Sequence, residues 1–203
     1  MMNIFAEKSR ESYNKIADDY DNTFDGKYTE NFKKKSLGEI IIKPGNNNVL
    51  DVACGNGTLL KMLSAKFNIH GYGIDISEKM IENAKAKCPE MLFEVSSCEN
   101  TSFKNHMFDV VTVCAAFHHF PDIKAFANEA KRILKPQGML YIAEIYYPFI
   151  IRAILNPFVP LSKAGDVKFY SPKEIKANFE THGFEQTGLK KEGNIQLIIL
   201  RRL

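Results

Sequence analysis

VLDVACGNGTLL, Val49 to Leu60, is an apolar run that ends in an acid and passes directly into a glycine-bearing turn opening a helical pattern. A strand, tight turn and helix of this kind bring backbone N–H groups and a helix N-terminus up to a ligand, as nucleotide-type cofactors require. Gly55 and Gly57 let the backbone turn sharply with no Cβ in the way. Asp51 places a carboxylate at the carboxyl end of the strand, where open α/β sheets bind their ligands. A dinucleotide fingerprint needs a third glycine where this chain has Leu60, so a nicotinamide or flavin cofactor is not expected. The next strand, GYGIDIS, ends in Asp75, about twenty residues past the turn, the spacing of a ribose-binding acid on the neighbouring strand.

Further elements follow in order. SEKMIENAKAKC reads as a helix capped by Ser77 with apolar positions at Met80, Ile81 and Ala84. MLFEV reads as a third strand, FDVVTVC leads into AAFHHF, DIKAFANEAKRILKPQG reads as helical, and MLYIAE as the strand after it. Ser171 and Pro172 cap and open SPKEIKANFETHG, with Gly183 at its C-terminal end. Gly193-Asn194 then joins FEQTGLKKE to IQLIILRR as a hairpin.

With its acid, short spacer and glycine pair, its second acid at Asp75, and the runs FDVV, HHF and RILKPQGML, the chain resembles the class I S-adenosylmethionine-dependent methyltransferases. Within that family it resembles the small-molecule enzymes of quinone-biosynthesis type, from about Tyr13 to Leu203. The resemblance implies an α/β fold with a seven-stranded sheet ordered 3-2-1-4-5-7-6, strand 7 antiparallel, and helices on both faces. It implies S-adenosyl-L-methionine as cofactor, with Asp51, Ala53, Cys54, Gly55 and Gly57 about the methionine end and Asp75 on the ribose hydroxyls. Ile76 and Met80 are implied against the adenine face, Ser97 and Cys98 at its edge, and Ala115 completes the set. Two positions depart from the family pattern. Ala53 stands where a glycine is common, and Ser97 where an acid usually takes the adenine amine, which leaves an uncharged and weaker acceptor.

A length of 203 residues with 45% hydrophobic content suits one core, so a single domain over 1–203 is expected. An N-terminal helical cap over about 1–43 and an apolar insertion over about 145–170 complete it. The net charge of +3 and a densest basic run of only Lys33 to Lys35, read as a solvated helix face, argue against a nucleic-acid partner. Cys54, Cys88, Cys98 and Cys114 form no C-x-x-C pair, and the N-terminus lacks a signal-peptide core, so a cytoplasmic setting is expected. Ile145 to Leu161 is apolar, but its three prolines, Arg152 and short length speak against stable membrane insertion. It reads either as a cover over the acceptor pocket or as a core-filling segment, and a membrane-surface role stays open. The oligomeric state is not legible.

Methyl transfer from a sulfonium is an in-line displacement in which the protein chiefly aligns acceptor, carbon and sulfur. A base is needed only for a poor nucleophile such as an alcohol. His118 and His119 are the base candidates; the alternative is that one packs and the other hydrogen-bonds the loop. No metal is expected, since no Cys, Asp or Glu nearby in sequence completes a ligand set. Tyr13 and Tyr20 share a helical face with Ile16 and Ala17 and either cover the sulfonium or pack the helix. Phe117, Phe120, Tyr146, Tyr147 and Phe149 wall the acceptor pocket or fill core. The expected activity is methyl transfer to a small, apolar or aromatic acceptor. The alternatives are a catalytically inactive S-adenosylmethionine-binding regulatory protein and an RNA or protein methyltransferase.

Overall fold

The computed structural model describes residues 3–45 and 47–203. Seven strands build one mixed sheet: β1 (Asn47–Val52), β2 (Ile69–Asp75), β3 (Leu92–Val95), β4 (Phe108–Cys114), β5 (Leu134–Ile145), β6 (Phe184–Glu192) and β7 (Ile195–Arg202). Their order across the sheet is β3-β2-β1-β4-β5-β7-β6. The first five pair in parallel, and β7 runs antiparallel to both β5 and β6. The reversal follows from a two-residue turn whose first central residue, Gly193, has φ +58°, a conformation that matches the twist of paired strands.

Helices cover both faces: α1 (Ile4–Ile16), α2 (Phe24–Glu39), α3 (Thr58–Ser64), α4 (Glu78–Lys87), α5 (Ile123–Ile133), α6 (Phe149–Leu155) and α7 (Pro172–Glu180). Parallel strands covered on both sides are buried along their length, as β1 is over Val49 to Val52 and β4 over Val110 to Val113, each run holding one polar residue, Asp51 and Thr112. Leu50, Val52, Val111 and Val113 join Phe126, Ile133 and Phe179 in one core beneath α5 and α7. Val49 and Val110 join Leu59, Leu63, Ile81 and Phe93 in the core on the other face, beneath α3 and α4. Side-chain caps set the helix starts: Ser77 accepts the Met80 N–H at 3.1 Å, and Ser171 and Glu174 form a reciprocal capping box.

Three local readings need correction. The helical pattern expected through Gly138 ends at Ile133, and Leu134 onward is already β5. Pro136 lacks the N–H a helix interior needs and holds Lys135 extended. The expected N-terminal helix breaks after Ile16 into a 3-10 turn, Ala17–Asn22, before α2 restarts under the Thr23 cap; its Asp and Asn side chains compete for the backbone and favour turns. Met1 and Met2, the first positions of the expected cap, lie outside the described residues. The apolar stretch after β5 lines none of the cleft described below and buries Val159, but most of its large apolar side chains stay outside the core. It turns Phe149, Ile150, Ile154, Phe158 and Leu161 outward, each at least 62% exposed. Among the described residues no helix is long and apolar enough to cross a membrane.

Candidate functional site

At the carboxyl ends of β1, β2 and β4 the strands give way to loops, and α1 and α2 lie over them. The cleft between is partly open to solvent and holds about 880 Å³ of space with its mouth included. The turn after β1 shapes its floor. Gly55 has φ +52° and donates its N–H to Asp75 Oδ2 at 2.9 Å, while Asp75 Oδ1 accepts the Ser77 N–H at 2.9 Å. Burial raises the Asp75 pKa, outweighing those backbone N–H groups. Ala53 and Ala115, where β1 and β4 end, sit in the left-handed region at φ +55° and +53°. Each costs about 1 kcal/mol or more without a glycine's freedom. Such strain concentrates at ligand sites, and the glycine common at the first position in the family is explained by this geometry.

The residues expected at the nucleotide end, Asp75, Ile76, Met80, Ser97 and Cys98, line the cleft, and so do Tyr13, Tyr20, Ala53, Cys54, Gly55 and Ala115. Tyr13 and Tyr20 meet edge-on with ring centroids 6.2 Å apart, and burial raises both phenol pKa values, Tyr20 to about 12. Three expected residues stand elsewhere. Gly57, at φ +77°, packs against α4 and Phe93. Asp51 lies beneath the floor, its Oδ1 accepting the Thr112 hydroxyl at 2.6 Å, with a pKa that burial pushes up to about 7. His118 is buried behind His119, and only His119 lines the cleft. Of the expected aromatic wall, Phe120 lines the cleft, Phe117 is core, and Tyr146, Tyr147 and Phe149 do not reach it.

The two histidines differ electrostatically. Burial lowers the His118 pKa, but Glu144, whose Oε1 lies 2.8 Å from His118 Nδ1, and then Asp166 outweigh it, so the net displacement is upward. Burial, reinforced by His118, holds the His119 pKa well below its ordinary value. His119 is therefore neutral near pH 7, and its Nε2 lies 3.1 Å from the Tyr13 hydroxyl.

Lys33 corrects the reading of the basic run. Lys34 and Lys35 pair with Glu30 and Glu192 at the surface, but Lys33 is buried and lines the cleft. Its Nζ donates to Thr29 Oγ1 at 3.3 Å and lies 5.4 Å from the Tyr20 ring centre. Burial lowers its pKa. Nothing in three consecutive lysines marks the first of them as the one that faces inward. Asp166 and Glu144 were missed as well, because the chain folds them beside the histidines from distant positions.

Comparison with known proteins gives this architecture its class. Residues 50–142 match the family model described as a methyltransferase domain. The demethylmenaquinone methyltransferase of Thermotoga maritima is 29% identical over 175 residues, 75% of this chain and 76% of that protein. An uncharacterized protein of Methanocaldococcus jannaschii is 30% identical over 197 residues, 91% of this chain and 75% of that one. A SAM-dependent methyltransferase from Aquifex aeolicus superposes with a TM-score of 0.65 at 23% identity, covering 84% of this chain and 89% of its own. Residues 50–142 thus carry a methyltransferase domain, and the chain is an enzyme of methyltransferase type.

Proposed function

We propose that the cleft binds S-adenosyl-L-methionine and that the enzyme methylates a small, apolar or aromatic acceptor. The observation that carries this reading is Asp75, a buried carboxylate on the cleft wall held by the Gly55 and Ser77 N–H groups. The donor set fits the cofactor group by group. Asp75 would take the ribose hydroxyls, Ile76 and Met80 the adenine face, and Ser97 with Cys98 its edge. Lys33 would hold the methionine carboxylate, because it is the buried cation on the cleft wall. When bound, the cofactor supplies a methyl group on a sulfonium that is already a good leaving group.

The chain's own contribution is alignment and exclusion of water. Tyr13 and Tyr20 offer π faces to a cation, worth about 0.5–2 kcal/mol, and α1 closes over the cleft through the Tyr13 to His119 contact. Phe120, Pro121 and Ala116 give the remaining wall an apolar character that suits an aromatic acceptor. The Thermotoga maritima relative is named for demethylmenaquinone, and an aromatic hydroquinone of that kind is the acceptor class proposed. Its carbon is a good enough nucleophile once ionised that alignment carries most of the reaction.

Incubation with methyl-labelled cofactor and a hydroquinone lacking the methyl group tests the reading. Label in a carbon-methylated hydroquinone is the expected result. Label appearing in RNA or protein substrates, with none in the hydroquinone, would overturn it.

A further inference from the structure

At the end of β4, next to the cleft, three metal-ligating atoms converge where the sequence offered only two. His118 Nε2 lies 3.5 Å and His119 Nδ1 3.1 Å from Asp166 Oδ1, and the three side chains' ligand atoms all lie within 4.8 Å of one another. Ligands about 2.0–2.2 Å from a common ion stand roughly 3–3.5 Å apart. Yet no hydrogen bond joins these atoms among the described residues. His119 Nδ1 is buried with no hydrogen-bond partner although Asp166 is near. A lone pair facing a carboxylate at that distance is repulsive unless a proton or a metal ion lies between them.

The surroundings fix each donor as a ligand shell would. Glu144, fully buried, stands 2.8 Å from His118 Nδ1, which leaves Nε2 as the outward atom. The Tyr13 hydroxyl stands 3.1 Å from His119 Nε2, which leaves Nδ1 as the outward atom. Carboxylate and hydroxyl partners on the far ring nitrogen set tautomer and orientation in metal-binding histidines. Asp166 is placed by backbone: Val167 donates its N–H to the His118 carbonyl at 2.8 Å. Gly165 packs so closely on α1 that a Cβ there would collide with the Phe5 carbonyl.

We infer that His118, His119 and Asp166 form a binding site for a first-row divalent cation of the zinc or iron(II) type. Two imidazoles and one carboxylate suit those ions better than magnesium or calcium. Three protein ligands leave at least one coordination position free. His119 also lines the cleft, so a free position on that side is open to an acceptor oxygen, which the cation would hold and polarise. The site goes beyond the cofactor reading and does not depend on it.

The full chain, stripped with a chelator and dialysed, is titrated with cobalt(II) followed by visible absorption, and with zinc(II) by calorimetry. One saturable equivalent is expected, with cobalt bands that zinc abolishes. Asp166→Asn and His118→Gln are expected to lose binding at the same concentrations, and Glu144→Gln to weaken it roughly tenfold to a hundredfold. S-adenosylmethionine affinity of Asp166→Asn, measured alongside, is expected to match wild type, which shows that the variant is folded and separates this site from the cofactor reading. No saturable binding by the wild-type chain would overturn the inference. Binding that a folded Asp166→Asn retains unchanged would do the same.

Discussion

Asp75 Oδ2 accepts the backbone N–H of Gly55 at 2.9 Å, so the acid that ends β2 is aimed by the glycine turn that ends β1. The two motif elements far apart in the chain are thus one unit in space, a carboxylate held in place on the wall of the cleft before any ligand arrives. Each oxygen already takes a backbone N–H and retains acceptor capacity for a hydroxyl.

Replacing Asp75 with Ala removes charged acceptors worth about 1.5–3 kcal/mol for each hydroxyl hydrogen bond. Cofactor affinity is expected to fall well over tenfold, measured by calorimetry on a variant whose circular dichroism matches wild type. An unchanged dissociation constant would remove Asp75 from the ribose.

Lys33→Met keeps the stem length and removes the buried charge. One charge-assisted hydrogen bond to the methionine carboxylate is worth about 1.5–3 kcal/mol, so affinity for the cofactor should drop roughly tenfold to a hundredfold. The apo chain should melt no lower than wild type, because Lys33 is desolvated without a carboxylate at ion-pair distance. A tighter complex in the variant would place the carboxylate elsewhere.

Ala53→Gly relieves a left-handed backbone, φ +55°. The variant is expected to gain about 1 kcal/mol less the entropy glycine adds to the unfolded chain, so a net change between zero and 1 kcal/mol in urea unfolding. A clear destabilisation would mean that the Ala53 Cβ contributes packing greater than the strain.

Asp51 couples stability to pH. Its folded pKa, about 7, lies above the ordinary carboxyl value. The contribution is therefore fully present below about pH 4 and is lost as pH rises through 7, an order-of-magnitude cost of up to about 4 kcal/mol at pH 8. Asp51→Asn keeps an acceptor for the Thr112 hydroxyl. It should flatten the melting-temperature profile between pH 4 and 7 and raise the melting temperature at pH 8. Superimposable profiles would show that Asp51 does not titrate there.

What the sequence made legible was whatever is local and periodic. The β1 turn, the Ser77 and Ser171 caps and the Gly193 turn are each set by a few neighbouring residues, whereas the strand order was expected from the family resemblance. Part of the cleft lining was legible because Gly55, Ile76 and Ala115 lie just past the ends of β1, β2 and β4. Lys33 was hidden because the direction in which a helix turns is decided by packing, here of Phe32 and Ser36, and not by the charge of the run. Asp166 was hidden because a loop with no periodicity carries it back onto His118. The exposed apolar ledge of α6 was misread because an apolar run by itself does not say whether it is covered.

The most direct test of the account is a calorimetric titration of the full chain with S-adenosylmethionine, with S-adenosylhomocysteine and with NAD. One-site binding of the first two, weakened by Asp75→Ala, and no heat from NAD is the result predicted. Binding of NAD with no binding of either sulfur ligand would contradict it.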